Sequence, residues 1–224
     1  MASPAKSALY DALASVAKAL SSGRRAELVD VLAQGPRSVE ALAAEIGQSL
    51  ANTSQHLHVL ARAGLVASSR AGNRVVYRLA SGAVEELWAA VRSVATGHVA
   101  GLDRLAADYL GPTGPLPRVT RAELASRLAG AAPALVVWDV RPLPEYEAGH
   151  VPGAHPVPPE EVGARLGDVP ADSQVVAYCR GPFCAYADEA VRQLRQRGRD
   201  AARLEDGFPE WRRAGLPVAV GSER

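Results

Sequence analysis

Val176-Ala177-Tyr178-Cys179-Arg180-Gly181-Pro182-Phe183-Cys184-Ala185 decides how the second half of this 224-residue chain is read. A short apolar run ends in a cysteine. A compact loop with Gly181 and Pro182 follows, and a helical pattern opens at Ala185. The Cys179 thiol is therefore expected at the end of a strand, beside a helix N-terminus whose unpaired N–H groups and dipole favour an anion. A thiol so placed should titrate well below the roughly 8.5 of a free cysteine and be thiolate at neutral pH. Gly181, Pro182, Phe183 and Ala185 complete the expected anion-binding loop. Cys179 and Cys184 are the chain's two cysteines. Across a curled loop their Cα atoms would come within the roughly 4.4–6.8 Å that a disulfide requires.

Around this loop, short β-rich runs alternate with helical patterns, as in an α/β domain. Strands are expected at 134–140, 174–178 and 201–204. Helices are expected at 119–128, 159–166, 185–197 and 207–214, with a short one at Glu145-Tyr146-Glu147 that ends at Gly149-His150. Several motifs stand in order: Asp139-Val140-Arg141 with Glu145-Tyr146, then Gly149-His150-Val151-Pro152-Gly153-Ala154, the cysteine loop, and Asp206-Gly207-Phe208-Pro209-Glu210-Trp211 with Gly215-Leu216-Pro217-Val218. Together they resemble a rhodanese domain over about residues 118–220.

The resemblance implies a parallel sheet flanked by helices, with the site at a strand's C-terminal end. It implies that the Cys179 thiolate attacks the outer sulfur of a donor such as thiosulfate or a persulfide. The resulting Cys179 persulfide would be held by loop N–H groups until a second thiophile removes it. The loop length resembles that of sulfur-handling members, not the longer loops of related phosphatases and arsenate reductases. Arg180 either attracts anionic donors or points into solvent. Cys184 stands where several thiosulfate-using members carry a hydroxyl or basic residue, which weighs against efficient thiosulfate turnover. It either resolves a Cys179 persulfide or is a small buried side chain. Asp139 and Arg141 are expected to pin loops near the site, and His150 to partner a helix end.

Before this half lies Gly111-Pro112-Thr113-Gly114-Pro115-Leu116-Pro117, which breaks any helix and reads as a linker. Residues 1–110 carry helical periodicity instead. Helices are expected at 5–20, 24–33 and 39–46, the third N-capped by Ser38. Gly47 makes a turn. A fourth helix follows Ser49 with Leu50, Ser54, Leu57, Leu60 and Ala61 inward. Strands 66–70 and 74–79 flank a hairpin tip at Ala71-Gly72-Asn73. One long helix is expected over 83–109.

Helix, glycine turn, helix and hairpin form a winged helix-turn-helix order. From Ser49 to Ala80 the chain carries Arg62, Arg70, Arg74, Arg78, His56 and His58 but no Asp or Glu. The formal net charge of the whole chain is only +1, so this local lack of acid marks a surface suited to phosphate. Ala41-Leu42-Ala43-Ala44-Glu45-Ile46-Gly47, Ser54 to Val66, and the wing Arg70 to Leu79 resemble the ArsR family of bacterial repressors over about residues 7–108. That resemblance implies a homodimer built on the first and last helices of this half. It also implies an inverted-repeat operator in double-stranded DNA, with half-sites roughly 34–36 Å apart. Asn52, Thr53, Gln55 and His56 are the expected contacts from the recognition helix, since Asn and Gln pair bidentately with adenine. Arg70 and Arg74 are the expected contacts from the wing.

No metal site and no cofactor are expected. Residues 39–46 lack the cysteines of metal-sensing relatives, and His56 and His58 do not face one ligand position. No apolar run approaches the roughly 20 residues of a membrane span. The first residues lack the order of a signal peptide, and a cytoplasmic location is expected.

The expected architecture is an α+β winged helix-turn-helix domain (1–110), a linker (111–117) and an α/β rhodanese-like domain with a parallel sheet (118–224). The expected function is a dimeric repressor responsive to sulfur, in which sulfane sulfur on Cys179 shifts operator affinity. The rival expectation is a sulfurtransferase with an accessory DNA-binding half. Arsenate or phosphate-ester chemistry at the loop is a weaker third.

Overall fold

The computed structural model describes residues 3–111, 116–130, 134–170 and 172–221. The chain forms two compact units, Met1–Val94 and Ala95–Arg224. Most of the stretch read as a linker, residues 112–115, lies outside the described residues.

In the first unit, α1 (Pro4–Leu20) and α2 (Gly23–Leu32) precede a two-residue strand β1 (Arg37–Ser38) that the sequence did not signal. Ser38 then caps α3 (Val39–Glu45), its hydroxyl accepting from Ala41 N at 3.3 Å. Gly47 turns the chain at φ +61°, and Ser49 caps α4 (Leu50–Arg62) in the same way through Asn52 N. This is the helix-turn-helix. Strands β2 (Val66–Ala71) and β3 (Arg74–Leu79) form the wing, with Ala71 paired to Arg74 across a Gly72 tip at φ +62°. β1 adds antiparallel to the far edge of β3. The core gathers Leu28, Leu42, Leu57 and Leu60, all fully buried, and Trp88 Nε1 donates to Asp30 Oδ1 at 2.6 Å.

Two expectations for this half fail. The helix expected over 83–109 is two helices, α5 (Gly82–His98) and α6 (Leu102–Leu110). Gly101 adopts φ +80° at the start of α6, a conformation that side-chain-bearing residues disfavour and that stops α5 from continuing. The inward stripe of α4 is Thr53, Leu57 and Leu60; Leu50 is half exposed and Ser54 only partly covered. Leu57 allows a partner either three or four residues earlier, and the core takes position 53.

The second unit is a five-stranded parallel sheet in the order β4-β8-β7-β5-β6, formed by β4 (Arg118–Val119), β5 (Leu135–Asp139), β6 (His155–Pro156), β7 (Gln174–Tyr178) and β8 (Asp200–Leu204). Val119, read as the start of a helix, lies on the edge strand β4. Thr120 caps the helix after it, α7 (Arg121–Ala129), through Glu123 N. The short helix α8 is Leu143–Ala148 and α9 is Val162–Arg165, extended by a 3-10 turn at Leu166–Asp168. α10 (Ala185–Gln196) and α11 (Phe208–Arg213) complete the layers.

The side chains of central strand β7 alternate between two cores. Val175, Ala177 and, just beyond the strand, Cys179 join Val191 and Leu194 of α10. Val176 and Tyr178 join Phe208 and Trp211 of α11 on the other face. The alternation thus sends Cys179 beneath the helix that its own loop leads into. No described helix is long and apolar enough to cross a membrane.

Candidate functional site

The cysteine loop leaves β7 at its C-terminal end and closes at Cys184, the N-cap of α10. Cys184 N donates to Gly181 O at 3.2 Å, which folds the loop back on itself. Pro182 and Phe183 form its exposed crest, Gly181 is buried beneath them, and Ala185 opens the helix, partly covered.

Cys179 is 1 % exposed, whereas Cys184 is only partly buried. Cys179 Sγ points at Cys184 O, 3.4 Å away, and more distantly at Gly181 O. The two thiols lie close enough in the folded loop to shift each other's acidity. Burial pushes the Cys179 thiol well above its usual range, and the neighbouring Cys184 sulfur raises it further. The expectation of an acidic Cys179 is therefore overturned: loss of solvation outweighs the Arg203 charge and the Gly181 backbone hydrogen bond that oppose it. The acidic thiol is Cys184. The neighbouring Cys179 thiol is the largest cause, the Tyr186 and Arg180 backbone adds to it, and the pKa of Cys184 falls to about 7. Iodoacetamide should accordingly alkylate Cys184 with a rate midpoint near pH 7, rising toward alkaline pH as thiolate accumulates. A midpoint above about 8.5, the value of a free cysteine, would contradict the geometry.

Two largely buried ion pairs hold the loop. Arg203 on β8 is 1 % exposed; it donates to Gly181 O at 2.8 Å and to Asp188 Oδ2 of α10 at 2.7 Å. Arg180 is bidentate to the buried Glu145 of α8, with Nη2 at 2.5 Å and Nε at 3.0 Å from Oε1. Its charge is thus committed to an internal carboxylate, neither pointing into open solvent nor displayed for a donor. Sequence reading missed Arg203 and Asp188. The available signal was a lone charge on each of two apolar faces, Ala201-Ala202-Arg203-Leu204 and Ala187-Asp188-Ala190-Val191.

Beneath the loop lies a second buried network. Arg141 donates to Asp139 through Nε at 2.9 Å and to Gly149 O through Nη2 at 2.7 Å. Tyr178 OH donates to Asp139 Oδ2 at 2.6 Å and accepts from Val151 N at 3.0 Å. The Arg141 guanidinium lies 4.2 Å from the Phe208 ring centroid. His150 Nδ1 meets Tyr146 O at 2.9 Å at the end of α8, with its ring stacked on Tyr146. Gly207 closes the site from the other side. A Cβ there would lie 2.3 Å from Gly181 N and 2.4 Å from Arg180 C, so the Asp206-Gly207 turn and the cysteine loop meet backbone to backbone. Phe208 N donates to Cys179 O at 3.0 Å across this contact.

On the first unit, Asn52 and Gln55 stand exposed on α4, and His56 is partly covered. Thr53 is fully buried and cannot reach a base, which corrects its expected role. Arg70, Arg74 and Arg78 are exposed on the wing, and Arg62 at the end of α4. Among the described residues, no cluster of three His, Cys, Asp or Glu side chains could hold a metal ion.

Comparison with known proteins fits this geometry. The rhodanese-like domain family matches residues 120–214, and a helix-turn-helix domain family matches residues 20–69. The HTH-type transcriptional regulator Rv0324 of Mycobacterium tuberculosis is 47 % identical over 217 residues, covering 97 % of this chain and 94 % of that protein. A sulfurtransferase of Allochromatium vinosum is 34 % identical over 98 residues, covering 43 % of this chain and 89 % of its own. A solution structure of the homodimeric winged helix-turn-helix domain of Mb0332 from Mycobacterium bovis, a possible ArsR-family regulator, is 44 % identical. It covers 44 % of this chain and 92 % of that one, with a TM-score of 0.41. With a helix-turn-helix and wing in one unit, a cysteine-bearing parallel sheet in the other, and a relative matched nearly end to end, the chain belongs to the ArsR-type winged helix-turn-helix transcriptional regulators that carry a C-terminal rhodanese-like domain.

Proposed function

We propose that this regulator is a sulfur-responsive repressor: its rhodanese half accepts sulfane sulfur on Cys179, and that modification changes its affinity for an inverted-repeat operator. The observation that carries the reading is the thiol pair itself. Two cysteines, with Cys179 Sγ donating to Cys184 O, occupy a loop braced by Arg203 and by the Arg180–Glu145 pair, on a chain that also binds DNA. A braced loop gives a modified sulfur one defined place, and a sensor needs such a place.

The operator-bound form is a homodimer. Leu9, Tyr10 and Leu13 of α1 and Val94 of α5 are each more than half exposed, and Leu105 and Tyr109 of α6 likewise. A second copy of the chain is the occupant that would cover the α1 and α5 face. Asn52, Gln55 and His56 would read bases, and Arg70 and Arg74 would hold phosphates. Arg74→Ala should then weaken all DNA sequences alike and lower the slope of log affinity against log salt by about one per subunit. Fluorescence anisotropy at several salt concentrations reads this. An unchanged slope would remove Arg74 from the interface.

The likeness to a sulfurtransferase favours a second reading, an enzyme that turns over sulfur and uses its DNA-binding half only for placement or autoregulation. Sulfur stoichiometry separates the two. A sensor takes up one sulfur per chain from polysulfide and passes it on slowly. Rapid multiple turnover of thiosulfate to cyanide would make the enzyme the better description.

A further inference from the structure

We infer that Cys184 is the entry thiol of the site: it takes sulfur from the donor first and passes it inward to Cys179. This rests on the reading that Cys179 is where the sulfur finally resides. Two features of the loop separate the roles. Cys179, at 1 % exposure beneath α10, is closed to a donor in solution. Cys184 is partly open and caps a twelve-residue helix. Its sulfur takes part in hydrogen bonds with the Tyr186 and Arg180 backbone, and its acidity makes it a substantial thiolate at neutral pH. Cys179 Sγ already lies 3.4 Å from Cys184 O, so the two side chains meet within one folded loop.

The steps balance without an added oxidant. The Cys184 thiolate attacks the terminal sulfur of a hydropersulfide R–S–SH. A bond forms between Cys184 Sγ and that terminal sulfur, the RS–SH bond breaks, and RS⁻ leaves with the electron pair. Cys179 then attacks the same terminal sulfur. The new bond is to Cys179 Sγ, the bond to Cys184 Sγ breaks, and Cys184 takes the proton that Cys179 gives up. The result is a Cys179 persulfide and a free Cys184 thiol, with no net change in oxidation state. Thiol–disulfide exchange follows the same in-line displacement at sulfur. Burial that makes Cys179 a poor first nucleophile also shields its persulfide from water and competing thiols.

Arg180 lies between the two cysteines, so trypsin places them on separate peptides. The test treats full-length protein with inorganic polysulfide, quenches with an alkylating agent at intervals, and weighs both peptides. In the wild type, added sulfur should appear on the Cys184 peptide first and on the Cys179 peptide later. In Cys184→Ser, loading of Cys179 should slow at least about tenfold. In Cys179→Ser, sulfur should accumulate on Cys184. Cys179 loading at an undiminished rate in Cys184→Ser would overturn the relay while leaving Cys179 as the acceptor. A Cys179–Cys184 disulfide as the main product would also overturn it, because Cys179 would then have attacked the inner sulfur. Sulfur on neither peptide of the wild type would instead defeat the proposed function. The wild-type time course needs no variant, so a poorly folded mutant does not spare the relay.

Discussion

Arg141→Ala should destabilise the rhodanese-like unit by roughly 3–5 kcal/mol, the cost of breaking a fully buried ion pair by removing one partner. Arg141 and Asp139 are both fully buried. Without the guanidinium, Asp139 keeps only the Tyr178 hydroxyl at 2.6 Å and the residue-141 backbone N–H at 3.0 Å. Gly149 O loses its donor, and the Phe208 face loses its cation. These losses converge where the Gly149–Ala154 turn packs on the sheet. The double change Asp139→Asn/Arg141→Met should recover part of the loss, because no buried charge is then left unpaired. Urea unfolding of the full chain measures both variants. A single-variant loss below about 1 kcal/mol, the scale of an exposed pair, would mean that the pair is not closed to water.

Gly207→Ala should do comparable damage to the site with a smaller change in stability, about 1–3 kcal/mol. The backbone of Gly207 is extended, with φ −112°, so alanine adopts it without strain. The obstacle is space. The new methyl would sit 2.3–2.5 Å from three backbone atoms of Arg180 and Gly181. Backbone on the far side is tied by Arg203 to Gly181 O and cannot swing away as a long side chain would. The cysteine loop must therefore shift, stretching the Phe208 N–Cys179 O bond and displacing the Arg180 backbone from Cys184. The alkylation midpoint of Cys184 should rise from near 7 toward the value of a free thiol. An unchanged pH profile in a folded Gly207→Ala protein would show that the two loops do not meet as described.

How much of this was legible in the sequence depends on whether the cause was local. The cap residues Ser38 and Ser49, the Gly47 turn, the wing tip and the strand–loop–helix around Cys179 are decided by neighbours in the chain. Each appeared where expected. The break between α5 and α6 depends on Gly101 taking a positive φ, which the unbroken apolar stripe of 83–109 concealed. Thr53 went to the wrong face because periodicity alone does not separate positions 53 and 54 when one is Thr and the other Ser. The edge strands β1, β4 and β6 have two residues each, too short for any alternating pattern. Long-range pairings such as Arg203–Asp188 and Arg180–Glu145 join segments 15 and 35 residues apart, and no local rule pairs them. The acidity of the two thiols inverted for the same reason. Proximity to a helix N-terminus was readable, but which sulfur lies buried under α10 is a property of the packed sheet.

The central claim is that sulfur held on Cys179 is felt by the DNA-binding half. Its most direct measurement is the affinity of the purified dimer for a duplex carrying its own upstream sequence, by fluorescence anisotropy at fixed salt, before and after polysulfide. The wild-type dissociation constant should change by at least about tenfold, a coupling near 1.4 kcal/mol. Cys179→Ser should bind the same duplex with one affinity whether or not polysulfide is present. Equal affinities for loaded and unloaded wild type, with the sulfur confirmed on Cys179, would contradict that coupling.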